Sequence, residues 1–292
     1  MNEIQLEHML KQFFIEDIGE GDISGESLFS AEERGAFTLI AKEGGIFCGR
    51  AILVRGFMMI DPGSCIQVHI EDGAEVTPGT IIAEVEGTMR GLLKGERVIL
   101  NLIQRMSGIA TATAAAVKET EGTQAKVCDT RKTTPGLRML EKYAVRMGGG
   151  FNHRRGLYDA VMLKDNHIAF AGGIREAVGK IRESVGHTVK VEVEIETKEQ
   201  LMEAVEAKAD IIMFDNRTPE EIKEWLPLVP DYIATEASGG ITIDNVRLFA
   251  ESGIEWISLG ALTHSARALD ISAKVSVAPL KGETEYVNLR KA

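Results

Sequence analysis

From residue 125 onward the sequence alternates between two periodicities. Short β-like runs at 125–129 (AKVCD), 159–164 (DAVMLK), 189–195 (VKVEVEI), 210–214 (DIIMF), 232–236 (YIATE) and 255–259 (EWISL) alternate with helical patterns such as IREAVGKIRESV, KEQLMEAVEAK, PEEIKEWLPLV and DNVRLFAESG. A strand followed by a crossover helix returns parallel to itself, and its connection is right-handed. This specifies an α/β fold with a parallel sheet. Six such units fall short of the eight of a full barrel, which leaves a smaller barrel or an open, doubly wound sheet.

Upstream the pattern differs. Residues 4–17 carry Ile4, Leu6, Met9, Leu10, Phe13 and Phe14 in a spacing read as one face of an amphipathic opening helix. From 37 to 86 the runs FTLIAK, GIFCG, CIQVHI and TIIAEVEG are separated by Gly, Pro and Asp, which predicts a sheet with tight turns. Val98, Ile99, Leu102, Ile103, Met106, Ile109 and Ala110 form an i, i+3, i+4 stripe, so 96–119 is expected to be one long helix. At 292 residues there is room for two domains. The expected division is a first domain at 1–108, completed by 270–292, and the alternating domain at 109–269.

The net charge is −11, and the chain has two Trp and four Tyr. A surface of that sign repels polyanions and offers few rings for base stacking, so neither nucleic acid nor a membrane is an expected partner. No run approaches the roughly 20 apolar residues that span a bilayer, and the first residues lack a signal-peptide layout; a cytoplasmic location is expected. Cys48, Cys65 and Cys128 have no CxxC spacing, which predicts reduced, packed thiols and no zinc site.

Against this acidic background, residues 129–167 reverse sign. Arg131, Lys132, Arg138, Lys142, Arg146, Arg154, Arg155 and Lys164 face only Asp129, Glu141, Asp159 and Asp165. Arg138, Lys142 and Arg146 recur at helical spacing beside Glu141 and read as a solvated helix face. Arg131, Lys132, His153, Arg154 and Lys164 fall at strand ends or in a Gly-rich loop, where Arg forks and Lys point charges suit carboxylate and phosphate oxygens.

The run VKVEVEIE alternates strictly, with Val189, Val191, Val193 and Ile195 on one face and Lys190, Glu192, Glu194 and Glu196 on the other. Three carboxylates cannot be buried dry at tolerable cost, so the acidic face is expected to reach water, a cation or sugar hydroxyls at the mouth of a barrel. Asp215 ends the next strand and would stand beside Glu194, where the two could accept ribose hydroxyls or steady Mg²⁺. The turns Ser238-Gly239-Gly240 and Leu259-Gly260-Ala261 follow the last two strands, where barrels often bind phosphate. No Walker lysine motif, GxGxxG fingerprint, HExxH helix or GxSxG elbow occurs.

The motifs TRKTTPGLR (130–138), GGGFNHRRGLYD (148–159), LKDNH, VEVE, FDN, EASGGI and SLGALTHS, preceded by EDIGEGDIS and GERVILNLIQRMSGIAT, occur in an order that resembles the quinolinate phosphoribosyltransferases over nearly the whole chain. The resemblance implies an α/β sandwich domain joined to an incomplete α/β barrel of about six to seven strands. It implies a homodimer, with quinolinate and phosphoribosyl pyrophosphate as substrates and Mg²⁺ as cofactor. Arg97 would be contributed across the dimer, and Arg131, His153, Arg154 and Lys164 would surround the two carboxylates of quinolinate. Lys132 would face the pyrophosphate. Glu194 and Asp215 would face the ribose and, through water, the metal. Ser238, Gly239, Gly240, Leu259, Gly260 and Ala261 would hold the 5′-phosphate with His264 nearby, and Thr130 would join the substrate-binding set. Lys132, Lys164, Glu194 and Asp215 would be the catalytic members. The alternatives are a related phosphoribosyltransferase for another acidic heterocycle and a non-catalytic phosphosugar-binding barrel.

Overall fold

The opening helix α1 (Glu3–Ile18) begins where the Asn2 side chain accepts the Gln5 N–H at 3.1 Å, and it stops at Gly19, which adopts φ +55°. Leu6, Met9, Leu10 and Phe14 are buried along one face. Ile4 is 83% exposed; two residues before Leu6, it lies about 200° around the helix and cannot share that face. The computed structural model describes residues 1–276, so residues 277–292 of the expected closing segment lie outside the described residues.

After α1 come α2 (Ile23–Leu28), β1 (Arg34–Ala41), β2 (Gly45–Ile46), α3 (Arg50–Ile60), β3 (Cys65–Val68), β4 (Glu75–Val76), β5 (Ile81–Thr88) and α4 (Met89–Glu119). The sequence reading missed α3 because RAILVRGFMMI is almost continuously apolar and shows no clear period. A final strand at Ile271–Ser276 pairs antiparallel with β1, giving a four-stranded sheet in the order final strand, β1, β5, β3. These elements, with α4 as far as Thr111, form one compact unit, Met1–Thr111 together with the described residues from Arg267 to Ser276.

The second unit, Ala112–Ala266, contains β6 (Lys126–Cys128), α5 (Arg138–Met147), β7 (Val161–Leu163), α6 (Asp165–Ala171), α7 (Ile174–Ser184), β8 (Val191–Ile195), α8 (Lys198–Glu206), β9 (Ile211–Asp215), α9 (Pro219–Trp225), β10 (Ala234–Ser238), α10 (Val246–Ala250), β11 (Trp256–Ser258) and α11 (Ala261–His264). Two helix starts are set by reciprocal capping boxes, Thr197 with Gln200 for α8 and Thr218 with Glu221 for α9. The strands pair parallel in the order β7-β8-β9-β10-β11-β6. A doubly wound sheet needs a reversal of strand order, and there is none from β7 to β11. Instead the first strand of the unit pairs with its last, the contact that wraps a barrel. Beyond β6, Phe151 makes a single parallel bridge with Cys128, and among the described residues no ladder joins β6 to β7. The sheet is an incomplete parallel barrel.

Alternation then assigns two faces. Val191, Val193, Ile195, Ile212, Phe214 and Ile257 are fully buried, and Phe214 packs against Trp225 of α9 with ring centroids 6.4 Å apart. These residues face the helix layer. Their alternates face inward, and apart from Ile211 they are not the bulky branched aliphatics that usually fill a barrel.

Candidate active site

The inward residues line two cavities. At the strand C-termini a cavity of about 480 Å³ is bounded by Thr130, Arg131, Lys132, His153, Arg154, Met162, Lys164, Glu194, Met213, Asp215, Asn216, Ser238, Gly239, Gly240 and Ser258. A second, of about 490 Å³, shares His153 and Arg154 as a wall and is lined by Glu192, Ile211, Ala234, Glu236 and Trp256, among others. Positions one residue pair further along each strand thus belong to the outer cavity, and those before them to the inner one.

The outer cavity is built from four strand-end loops and the segment before β7. Lys132 N–H donates to Thr130 Oγ1 at 3.0 Å, closing a tight turn after β6, and Thr263 Oγ1 donates to the Lys132 carbonyl at 2.9 Å. Arg131 Nε is buried with no hydrogen-bond partner among the described residues. A buried donor of that kind demands an acceptor. The Arg154 guanidinium donates to the Ala160 carbonyl at 3.2 Å; burial, then the charge of Arg131, lowers its pKa. Lys164 pairs with Glu194 across β7 and β8. Burial raises the Glu194 pKa against the pull of Lys164, and the charges of Asp215 and Glu192 push it the same way. After β10 the chain turns at Gly239, which has φ +93°, and a Cβ there would stand 2.2 Å from Asn216 Oδ1. Only glycine fits that corner.

Beneath the cavity, His153 holds the centre of a buried acidic group. Its Nε2 lies 3.1 Å from Glu192 Oε2 and 3.5 Å from Glu236 Oε1, and its Nδ1 accepts the Arg154 N–H at 2.7 Å. Ser258 Oγ donates to Glu236. Burial alone would lower the His153 pKa, but the hydrogen bond to Glu192 and the charges of Glu236 and Glu192 outweigh it and raise it. With Nδ1 accepting from the backbone, Nε2 is the ring nitrogen that donates toward the two carboxylates. There burial, then the charge of Glu192, pushes Glu236 up to about 7.

Eleven of the residues expected at the site therefore meet in one cavity: Thr130, Arg131, Lys132, His153, Arg154, Lys164, Glu194, Asp215, Ser238, Gly239 and Gly240. Gly260 adjoins it, since a Cβ there would lie 3.0 Å from Lys132 Cδ and 3.2 Å from His264. His264 is exposed, and its Nδ1 lies 2.6 Å from Ser265 Oγ. Leu259 is fully buried on the outward face, and its N–H already donates to the Cys128 carbonyl at 2.9 Å. Ala261 begins α11. Arg97 is an exposed residue of α4 and is not among the lining residues. Two expectations are corrected. Of the acidic face of β8, Glu194 lines the mouth and Glu196 is exposed, but Glu192 is buried, compensated by His153. Lys142 and Glu141 are not on a solvated helix face: Lys142 is 3% exposed and Glu141 1%, because Lys142 pairs with the fully buried Asp129.

Family models match both parts of the chain: "Quinolinate phosphoribosyl transferase, C-terminal domain" at residues 109–274 and the corresponding N-terminal domain at 22–107. The chain belongs to the quinolinate phosphoribosyltransferase family. A Bacillus subtilis relative, named probable nicotinate-nucleotide pyrophosphorylase [carboxylating], is 53% identical over 277 residues, covering 95% of this chain and 96% of that protein. The crystal structure of NadC from Streptococcus pyogenes matches with TM-score 0.91 at 40% identity, over 96% of this chain and 99% of that one. A nicotinate-nucleotide pyrophosphorylase structure from Francisella tularensis matches with TM-score 0.90 at 37% identity, over 94% and 98%.

In this member of the quinolinate phosphoribosyltransferase family, sequence reasoning did not pick out Glu236, Ser258, Met162, Met213 and Asn216 as site residues. The inward parity they share with Glu194, Asp215 and Ser238 was the available signal for the first four. Glu236 also makes a stability prediction. Its folded pKa of about 7 lies above the 4.5 of a free glutamate, so between those values the folded state holds a proton that the unfolded state has lost. That stabilisation is present in full below about pH 4.5 and is lost as pH rises to about 7. Glu236→Gln should flatten this dependence, so that the variant gains on the wild type by on the order of 1–3 kcal/mol between those limits in urea melts taken across pH. Parallel curves would refute the assignment.

Proposed function

We propose that this chain transfers the phosphoribosyl group of phosphoribosyl pyrophosphate to quinolinate with loss of CO₂, giving nicotinate mononucleotide and pyrophosphate for NAD biosynthesis. One observation carries the reading at the level of the site: four cationic side chains, two carboxylates and a Ser-Gly-Gly turn face a single cavity in a chain of net charge −11. The partition suits a dicarboxylate joined to a sugar that bears phosphate at both ends. Arg131, with its buried, unpartnered Nε, binds the carboxylates of quinolinate together with Arg154 and Lys164. His153 has both ring nitrogens engaged within the protein and shapes the floor beneath them. Lys132 faces the pyrophosphate. The N–H groups of the turn after β10 take the 5′-phosphate, and Gly260 and His264 beside Lys132 belong to that end.

The chemistry asks for little beyond placement and charge. As pyrophosphate departs from the anomeric carbon, positive charge grows on the ribose, and Glu194 and Asp215 lie where a carboxylate can stabilise it. Once ribosylated, the pyridine nitrogen is cationic and stabilises the carbanion left when the adjacent carboxylate leaves as CO₂, and that carbon then takes a proton from water to give nicotinate mononucleotide. No covalent nucleophile is needed. Mg²⁺ fits the oxygen donors of Glu194 and Asp215, which also line a recess of about 240 Å³ with Lys164, Asp165, Glu196 and Gln200. When bound, Mg²⁺ offsets charge on the leaving pyrophosphate.

We further propose a homodimer that brings Arg97 to the cavity of its partner. Leu157, Tyr158 and Phe170 are 76%, 84% and 92% exposed, apolar surface of the kind a second copy covers. Free thiols at Cys48, Cys65 and Cys128 suit a reducing, cytoplasmic location. Among the described residues no helix is long and apolar enough to cross a membrane.

Quinolinate labelled at the carboxylate next to nitrogen should release labelled CO₂ in step with pyrophosphate; pyrophosphate without CO₂ would mean another heterocycle is the acceptor, and binding with neither product would mean a sensor. Glu194→Gln should lower kcat about a hundredfold with its melting temperature retained. Wild-type turnover by that variant would remove Glu194 from the chemistry. Randomly mixed Arg97→Ala and Lys164→Ala chains, each inactive alone, should recover about one quarter of wild-type activity, since half the dimers are mixed and each of those has one intact site. No recovery would place Arg97 in its own chain's site.

A further inference from the structure

The segment that delivers His153 and Arg154 to the cavity has no ladder of its own beyond the single bridge at Phe151. Its placement comes from behind the sheet. Asp129, at the end of β6 and fully buried, faces away from the cavity. It accepts from Lys142 Nζ of α5, from Asn152 Nδ2 at 2.6 Å and from the His153 backbone N–H at 2.9 Å. Lys142 also donates to the His153 carbonyl at 3.0 Å, and Asn152 Nδ2 donates to the Lys142 carbonyl at 2.8 Å. One buried ion pair thus holds both backbone polar groups of His153. Arg154 follows directly, tied by its N–H to the His153 ring at 2.7 Å.

A buried ion pair is a poor way merely to fill space, because an apolar pair of similar volume is often as stable or more so. What the apolar pair cannot do is grip a peptide at its N–H and its carbonyl. We propose that Asp129 and Lys142, neither of which lines the cavity, are positioning residues that set where His153 and Arg154 stand and thereby determine affinity for the dicarboxylate substrate. The inference rests on the functional reading above, and it assigns the role to geometry rather than to bulk stability.

Removing one partner alone would strand a buried charge, so the test uses the charge-balanced variant Asp129→Asn/Lys142→Met. Its melting temperature should stay within a few degrees of wild type. The KM for quinolinate should rise about tenfold or more, since small misplacement of a positioning group can cost up to roughly a hundredfold. The KM for phosphoribosyl pyrophosphate should change far less. Arg154→Ala added to that double variant should raise the quinolinate KM much less than Arg154→Ala does in the wild type, as expected for groups acting through one another. If the double variant does not fold, Asn152→Ala, which removes one donor and leaves the ion pair, should raise the same KM selectively. An unchanged quinolinate KM, equal rises for both substrates, or full additivity with Arg154→Ala would overturn the positioning role. Absence of quinolinate turnover by the wild type is a separate failure, which removes the functional reading and this inference with it.

Discussion

A carboxylate taken out of water costs several kcal/mol unless something replaces its hydration, and the strands of this barrel and their ends bury three of them. Asp129, Glu192 and Glu236 are each less than 5% exposed. Each is compensated differently. Asp129 gains a lysine and two N–H donors, Glu192 gains the imidazole of His153, and Glu236 gains a serine hydroxyl and, near neutral pH, a proton. These compensations link β6, α5, the segment after it, β8, β10 and β11 into one polar framework. The cavity above it inherits its geometry from that framework, because His153 belongs to both.

Depth within the barrel separates structure from chemistry. On β8, Glu192 is internal and balanced by its neighbours, while Glu194, two residues on, reaches the mouth beside Lys164 and Asp215. The same step separates Glu236 from Ser238 on β10 and Trp256 from Ser258 on β11. Family membership is carried by residues along the whole chain, yet the residues proposed for the chemistry are concentrated in the outermost of these positions.

Much of this could be read from the sequence. The alternation of strands and helices gave the parallel sheet, and the period-two pattern of VKVEVEIE gave the facing of Glu194. The resemblance supplied the site residues, and eleven of them share one cavity. What could not be read was register along the barrel axis. Alternation states that Glu192 faces inward, but how far it lies from the mouth depends on which residues of β7 and β9 stand beside it. Lys142 shows a different limit. Its helical spacing with Arg138 and Arg146 is that of a surface stripe, and only the position of Asp129 behind β6 turns it into a buried cation. Helix α3 escaped because a nearly continuous apolar run has no period to read.

On the proposed function, the cations of the outer cavity are arranged for two carboxylates on one planar ligand. The decisive measurement is a crystal structure of the protein with quinolinate. Both carboxylates should lie in the outer cavity, one of them accepting from Arg131 Nε and the other within reach of Arg154 or Lys164, with the His153 backbone still held by Asp129 and Lys142. Quinolinate bound elsewhere, or bound with Arg131 Nε still unpartnered, would contradict the account.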